Sequence, residues 1–141
     1  MVTPVNSIVV VAAIVKNNET YLITQRQKGT HLEDCWEFPG GKCEPGETHE
    51  ICLRREIREE LGVDITIGHE LFSTTHRYND LIVRIHFYRC NMNGIPQPLL
   101  NQPVRWVTRD RLSKLKFPPA DKELIDLIVK NDSCDIRGKL T

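Results

Sequence analysis

A chain of 141 residues is of single-domain size and long enough to bury a proper core. Its 19 basic residues are balanced by 19 acidic ones, which argues against a general nucleic-acid or membrane-surface binder but leaves room for a small anionic ligand held by a metal. The apolar run at residues 8–15 is too short to span a bilayer, and Met1 to Asn6 carries no basic leader, so neither a membrane anchor nor a secretory signal is expected.

In chain order, residues 7–15 are rich in Val and Ile and read as a buried strand. Residues 16–19 form a polar turn and residues 20–25 the partner strand. A polar loop at 27–34 leads to a short aromatic-flanked strand at 36–38, stopped by Pro39-Gly40-Gly41, and Pro45-Gly46 makes a second break. Thr48 caps a helix running to about Leu61, with Ile57 and Leu61 facing the core and Ile51 and Leu53 flanking them; Gly62 suits the left-handed position that ends it. Strands are expected at 64–72, 73–78 and 81–90, the last two joined by an Asn79-Asp80 turn. Residues 91–102 form a loop broken by Gly94, Pro96 and Pro98, followed by a strand at 104–108 and a helical turn at 110–115. After Pro118-Pro119 comes a helix over about 120–130, with Leu124, Ile125 and Ile128 inward. Helices set among hairpins and crossovers suggest a mixed sheet between helical layers. Five cysteines (Cys35, Cys43, Cys52, Cys90, Cys134) show no Cys-x-x-Cys spacing and read as reduced thiols of a cytoplasmic protein; zinc binding by Cys35, Cys43 and His49 is conceivable but matches no recognised spacing.

The densest chemistry lies between Gly41 and Val63. Glu56, Glu59 and Glu60 stand at i, i+3 and i+4, which puts three carboxylates on one helix face, away from the core stripe. Like charges so spaced repel, and the patch is best tolerated when a cation fills it. Hard, oxygen-seeking Mg2+, or Mn2+, is the natural candidate. The plain alternative is a solvated, salt-bridged helix, the usual meaning of a charge run; the Gly and Pro punctuation around this helix weighs against it.

This stretch resembles the signature box of the Nudix hydrolases, in which Gly, Glu, Arg-Glu, an aliphatic residue, Glu-Glu, Gly and an aliphatic residue recur at fixed spacing. Gly41, Glu47, Arg55, Glu56, Ile57, Glu59, Glu60, Gly62 and Val63 fill it without exception. The resemblance covers nearly the whole chain. It implies one Nudix domain over residues 1–131, an α/β/α sandwich of the α+β type, with a loose tail at 132–141. It also implies a cytoplasmic hydrolase of phosphoanhydride bonds, a monomer or homodimer, that takes a small nucleotide and has no stable nucleic-acid partner. By the same resemblance Glu56, Glu59 and Glu60 hold the metal together with the carbonyl of Gly40, and Arg55 orients carboxylates by bridging to Glu47. Many relatives carry a further Glu in the loop before a strand ending in Trp. Here no Asp or Glu lies between Asp80 and Asp110, and the Asn101 and Gln102 found there cannot serve as a base at neutral pH. The proton-accepting role is therefore expected of the helix, with Glu56 ahead of Glu59.

Two further stretches resemble the MutT-like branch of the family: Trp36-Glu37-Phe38-Pro39-Gly40-Gly41-Lys42 at the entry to the box, and Phe117-Pro118-Pro119-Ala120-Asp121 at a base-recognition segment. Asp121, in place of an Asn, is similar to the bacterial CTP pyrophosphohydrolases. An ionised Asp accepts from an exocyclic amine, and a protonated one also donates; Asp121 equally suits a helix N-cap after Pro-Pro. Arg26 stands where relatives contact base or phosphate, or is a plain surface arginine. Phe38, Tyr78 and Phe117 are candidates for stacking on a base and also for the core. His76 and His86 are assigned no role. The resemblance implies Mg2+-dependent conversion of a (d)NTP and water to a (d)NMP and diphosphate, in nucleotide-pool sanitation, with 8-oxo-dGTP or canonical or modified CTP and dCTP as substrates. The alternatives are another nucleoside diphosphate-X substrate (ADP-ribose, a dinucleoside polyphosphate, capped RNA) and a non-catalytic nucleotide-binding module.

Overall fold

The Val- and Ile-rich segment forms β1 (Asn6–Asn17), the spine of the sheet in a computed structural model that describes residues 6–130. Both faces of a strand with helices above and below are dry, and Val11, Ala12, Ala13, Ile14 and Val15 are all buried. β1 runs parallel to β6 (Leu81–Asn93), and β5 (Asp64–Tyr78) lies antiparallel beyond it. On its other edge β1 takes β4 (Gly40–Lys42) along Val10 to Ala12 and, at its end, β2 (Thr20–Gln25). β2 in turn carries β3 (Trp36–Glu37) and β7 (Val104–Thr108), which completes a seven-stranded mixed sheet.

Helices cover both faces. α1 (His49–Leu61) packs Cys52, Leu53, Ile57 and Leu61 onto Val11, Ala13, Val15 and Leu22. On the opposite face α2 (Arg109–Leu112), a 3-10 turn (Pro119–Asp121) and α3 (Lys122–Lys130) bring Leu112, Leu124, Ile125 and Ile128 against Ile14, Tyr21, Ile23 and Phe87. Each fully buried aliphatic side chain of this kind stabilises the fold by about 1.5–3 kcal/mol. The layering is the expected α/β/α sandwich.

The expected elements are present, with shifted bounds. The break expected between residues 72 and 73 is absent: β5 is continuous, and its irregularity is a bulge between Ile67, Glu70 and Phe72. Gly40 and Gly41 do not simply stop a strand; they pair with Ala12 and Val11 as β4, and β6 continues to Asn93 rather than ending near Cys90. The helical turn expected at 110–115 is α2, ending at Leu112, and the last helix starts at Lys122, after the 3-10 turn. Ile51 is 55% exposed, not flanking the core. It lies two residues from Leu53, which on a helix points to the far side, and Cys52 fills the flank instead. The expected loose tail lies outside the described residues. No helix among those residues is long and apolar enough to cross a membrane.

Candidate active site

The acidic helix is held at both ends by its own sequence. Thr48 Oγ1 accepts from the Ile51 amide at 3.1 Å, and Gly62, at φ 67°, donates its amide to the Arg58 carbonyl at 3.0 Å. The loop after β6 ties down the last turn: Gln102 Nε2 donates to the Glu60 carbonyl at 3.1 Å, while Gln102 Oε1 accepts from the Leu100 amide. Gln102 thus satisfies an orphan carbonyl in the last turn of α1.

Arg55 organises the box. It grips Glu47 through Nε at 2.7 Å and Nη2 at 2.8 Å, and its Nη1 donates to Glu56 at 2.9 Å and to Glu59 at 3.2 Å. Its Nη2 also donates to the Lys42 carbonyl of β4 at 3.1 Å, which ties helix to sheet. The guanidinium holds the Glu47 carboxyl down at about 2.

Gly41 leaves space for Glu56. A Cβ at Gly41 would stand 2.3 Å from the Glu56 carboxylate carbon and from one of its oxygens. The Glu56 and Glu60 carboxyls stand beside each other, and the charge of Glu56 opposes ionisation of Glu60. Burial raises the Glu56 acid, and burial together with Glu37 and Glu56 pushes Glu60 up to about 9, although the Gly40 amide donates to it. Two partly buried carboxylates side by side, with a third beside them, form a hard-oxygen donor set. Glu56 and Glu60 therefore fit a divalent cation. Glu59 is turned outward onto Arg55. Gly40, expected to offer its carbonyl to the metal, pairs with Ala12 in β4.

On the other side of β1 a cleft of about 720 Å³ opens. Ile8, Val10, Val83 and Ile85 line its floor, and Arg26, Glu37, Tyr78 and Asp121 bring polar groups to it. That size and mix suit a small organic ligand. Asp121 is 5% exposed, and burial first, then Glu37, raises its acid to about 7. The 3-10 turn takes Pro118 as its N-cap, so Asp121 sits inside the turn rather than capping it. Arg26 donates from Nη1 to Glu37 at 3.1 Å and from Nε to the His31 carbonyl at 2.6 Å, so it is anchored rather than a loose surface arginine. Tyr78 lines the cleft edge-on to His31. Phe38 also lines it but is buried, and Phe117 is absent from the lining, its ring packed on Phe38 at 5.5 Å. Cys35 and Cys43 do not gather around His49; the three-residue cluster containing His49 includes Glu70 and His86 instead.

Glu37 went unrecognised in the sequence. It lines the cleft, pairs with Arg26, and raises the acids of both Glu60 and Asp121. A second recess holds Arg26, Glu37, Glu60 and Gln102 together, so the acidic box and the cleft meet at Glu37. The available signal was a lone acid between two aromatic residues in a short strand.

The NUDIX domain model matches residues 10–127. The CTP pyrophosphohydrolase of Escherichia coli is 32% identical over 83% of this chain and 87% of its own length. The 8-oxo-dGTP diphosphatase of Haemophilus influenzae is 38% identical over 82% of this chain and 87% of its own. The solution structure of the DNA mismatch repair protein MutT, a Nudix hydrolase from methicillin-resistant Staphylococcus aureus 252, superposes with a TM-score of 0.74 at 36% identity, covering 89% of this chain and 98% of that one.

Proposed function

The chain belongs to the Nudix family and is a MutT-like hydrolase; on that footing we propose that it is a Mg2+-dependent nucleoside triphosphate pyrophosphohydrolase, with CTP or dCTP and their modified forms, or 8-oxo-dGTP, as substrate. Glu37 carries the proposal. It stands where the carboxylate box meets the apolar cleft, so a nucleoside in the cleft directs its phosphates toward Glu56 and Glu60. A separate phosphate site and base site would not couple in this way.

In the proposed reaction a water oxygen bonds to a phosphorus of the triphosphate, the bridging P–O bond breaks, and diphosphate leaves with the bridging oxygen. A divalent ion bound by Glu56, Glu60 and Glu59 supplies charge neutralisation on the phosphate oxygens and a more acidic water. Glu56 is the proposed acceptor of the water's proton: it is partly buried, and Arg55 and the glycine beneath it fix its carboxyl. Arg55 positions Glu56 and Glu59 through its contacts to both. Asp121, lining the cleft with its acid raised to about 7, is able to accept from an exocyclic amine when ionised and to donate to a ring acceptor when protonated.

A pyrophosphate-release screen with Mg2+ tests this reading, with canonical NTPs and dNTPs, 8-oxo-dGTP, 5-methyl-dCTP, ADP-ribose and a diadenosine polyphosphate as substrates. We expect a clear kcat/KM preference for one triphosphate, abolished in Glu59→Gln. Turnover of ADP-ribose or the dinucleotide alone would overturn the triphosphate assignment.

A further inference from the structure

On the face of the sheet away from the cleft, under the start of α1, three side chains from three elements converge: His49 of α1, Glu70 of β5 and His86 of β6. One ligand atom from each lies within 4.8 Å of the other two; among the described residues no other trio of His, Cys, Asp or Glu is gathered in this way. We propose that His49, Glu70 and His86 form a second metal site, for a divalent transition ion of borderline softness with Zn2+ as the expected occupant, separate from the carboxylate box.

The fold builds this arrangement. On β6, Val83, Ile85 and Phe87 point into one core, and strand alternation sends His86 to the opposite face, under α1. The β5 bulge puts Leu71 in the core and Glu70 opposite Tyr88, beside His86. His49 enters as the first residue of α1, directly after its Thr48 cap. The imidazoles of His49 and His86 lie 4.3 Å apart, centroid to centroid.

The hydrogen bonds also match a metal site. His86 Nδ1 donates to the Glu70 carboxylate at 2.6 Å, and His49 Nδ1 lies 2.8 Å from the hydroxyl of Tyr88, the residue paired with Glu70 across the strands. An ion seated among the three would replace the proton between His86 Nδ1 and Glu70, so that His86 would bind through Nδ1 and Glu70 through its carboxylate. Burial, and then the neighbouring His86, keep the His49 ring below its ordinary range, which favours the neutral form a metal needs. Two imidazoles and a carboxylate select Zn2+ and its neighbours over Mg2+, which prefers oxygen throughout. Tetrahedral coordination places ligand atoms roughly 3.4 Å apart, so the His86–Glu70 pair, at 2.6 Å, would open slightly and the remaining separations, all within 4.8 Å, would adjust modestly. The bound ion would pin the first turn of the catalytic helix, two residues after Glu47, to β5 and β6.

This inference does not depend on the nucleotide reading, and its test does not use activity. The tag-free full chain, stripped with chelator, is titrated with Co2+ in millimolar Mg2+, which occupies the hard-oxygen box. We expect one equivalent to give the visible absorption of low-symmetry Co2+, displaced by Zn2+. Glu59→Gln keeps the band, His86→Ala and His49→Gln lose it, and Glu70→Gln weakens binding by roughly 10- to 100-fold. Zn2+ at 100-fold over its Kd raises Tm by about 5 °C or more in the parent chain but not in His49→Gln, whose fold is checked by circular dichroism. Absence of the band, its survival in His49→Gln, its loss in Glu59→Gln, or a near-ultraviolet thiolate charge-transfer band would each overturn the site.

Discussion

Arg55 holds Glu47 by two parallel hydrogen bonds, Nε to Oε2 at 2.7 Å and Nη2 to Oε1 at 2.8 Å, which leaves Nη1 to serve Glu56 and Glu59. Only a planar guanidinium is able to make this fork and still reach a third and a fourth acceptor.

Arg55→Lys should therefore lower kcat/KM by roughly 10- to 100-fold while the fold survives, because a point charge satisfies one acid at a time. The same change should alter acid stability. Glu47 is depressed from 4.5 to about 2, so its contribution is complete above about pH 4.5 and disappears as pH falls toward 2. The gap in Tm between parent and variant should shrink between pH 5 and pH 2. A constant gap would show that Arg55 acts by packing alone.

The two glycines that enter the box are expected to fail differently. A Cβ at Gly41 meets only the Glu56 carboxyl, at 2.3 Å, whereas one at Gly40 meets the Val11 carbonyl oxygen at 2.0 Å, at φ +156°. Side chains yield and backbone does not. Gly41→Ala should thus cut kcat by roughly 100-fold with little change in Tm, because it displaces the carboxyl proposed to accept the proton. Gly40→Ala should lower Tm sharply, by splitting β4 from β1. Equal Tm losses in both variants would show that neither glycine is reserved for the site.

Both ends of α1 were legible because capping chemistry is local: Thr48 bonds three residues on, and Gly62 answers to Arg58. The acid face and its arginine were legible for the same reason, since all of it lies on one helix or just before it. Glu37 was not, because its meaning comes from Arg26 eleven residues away and from acids on another element. The meeting of His49, Glu70 and His86 depends on a bulge and on which face each strand residue takes, and a one-residue shift reverses that face. The continuous β5 was missed because a bulge and a strand end look alike in a sequence of mixed polarity.

Asp121→Asn separates the charge of this residue from its shape. Burial raises the acid from 3.8 to about 7, so the folded chain binds a proton that the unfolded chain releases between those values. Stability falls as pH rises through that window, by on the order of 4 kcal/mol, and is flat above it. Asn carries no charge to bury. The variant should match the parent in Tm at pH 4 and exceed it at pH 8, and its kcat/KM ratio between cytosine and purine triphosphates should lose the pH dependence the parent shows near neutrality. An identical Tm difference at both pH values would mean that Asp121 titrates alike in the folded and unfolded chain, so that burial does not raise its acid.

Glu60 offers the most direct check on the metal. In the metal-free chain burial, Glu37 and Glu56 push its acid up to about 9. A divalent ion relieves three acids at once, so Mg2+ should raise the Tm of the parent chain, and chelator should reverse the gain. Glu60→Gln removes one buried acid without changing its shape. It should equal or exceed the parent in Tm under chelator, show little gain with Mg2+, and lose roughly 100-fold or more in kcat, since the ion supplies several kcal/mol of transition-state stabilisation. A variant that kept the full Mg2+ gain in Tm would place the ion on other ligands and remove Glu60 from the site.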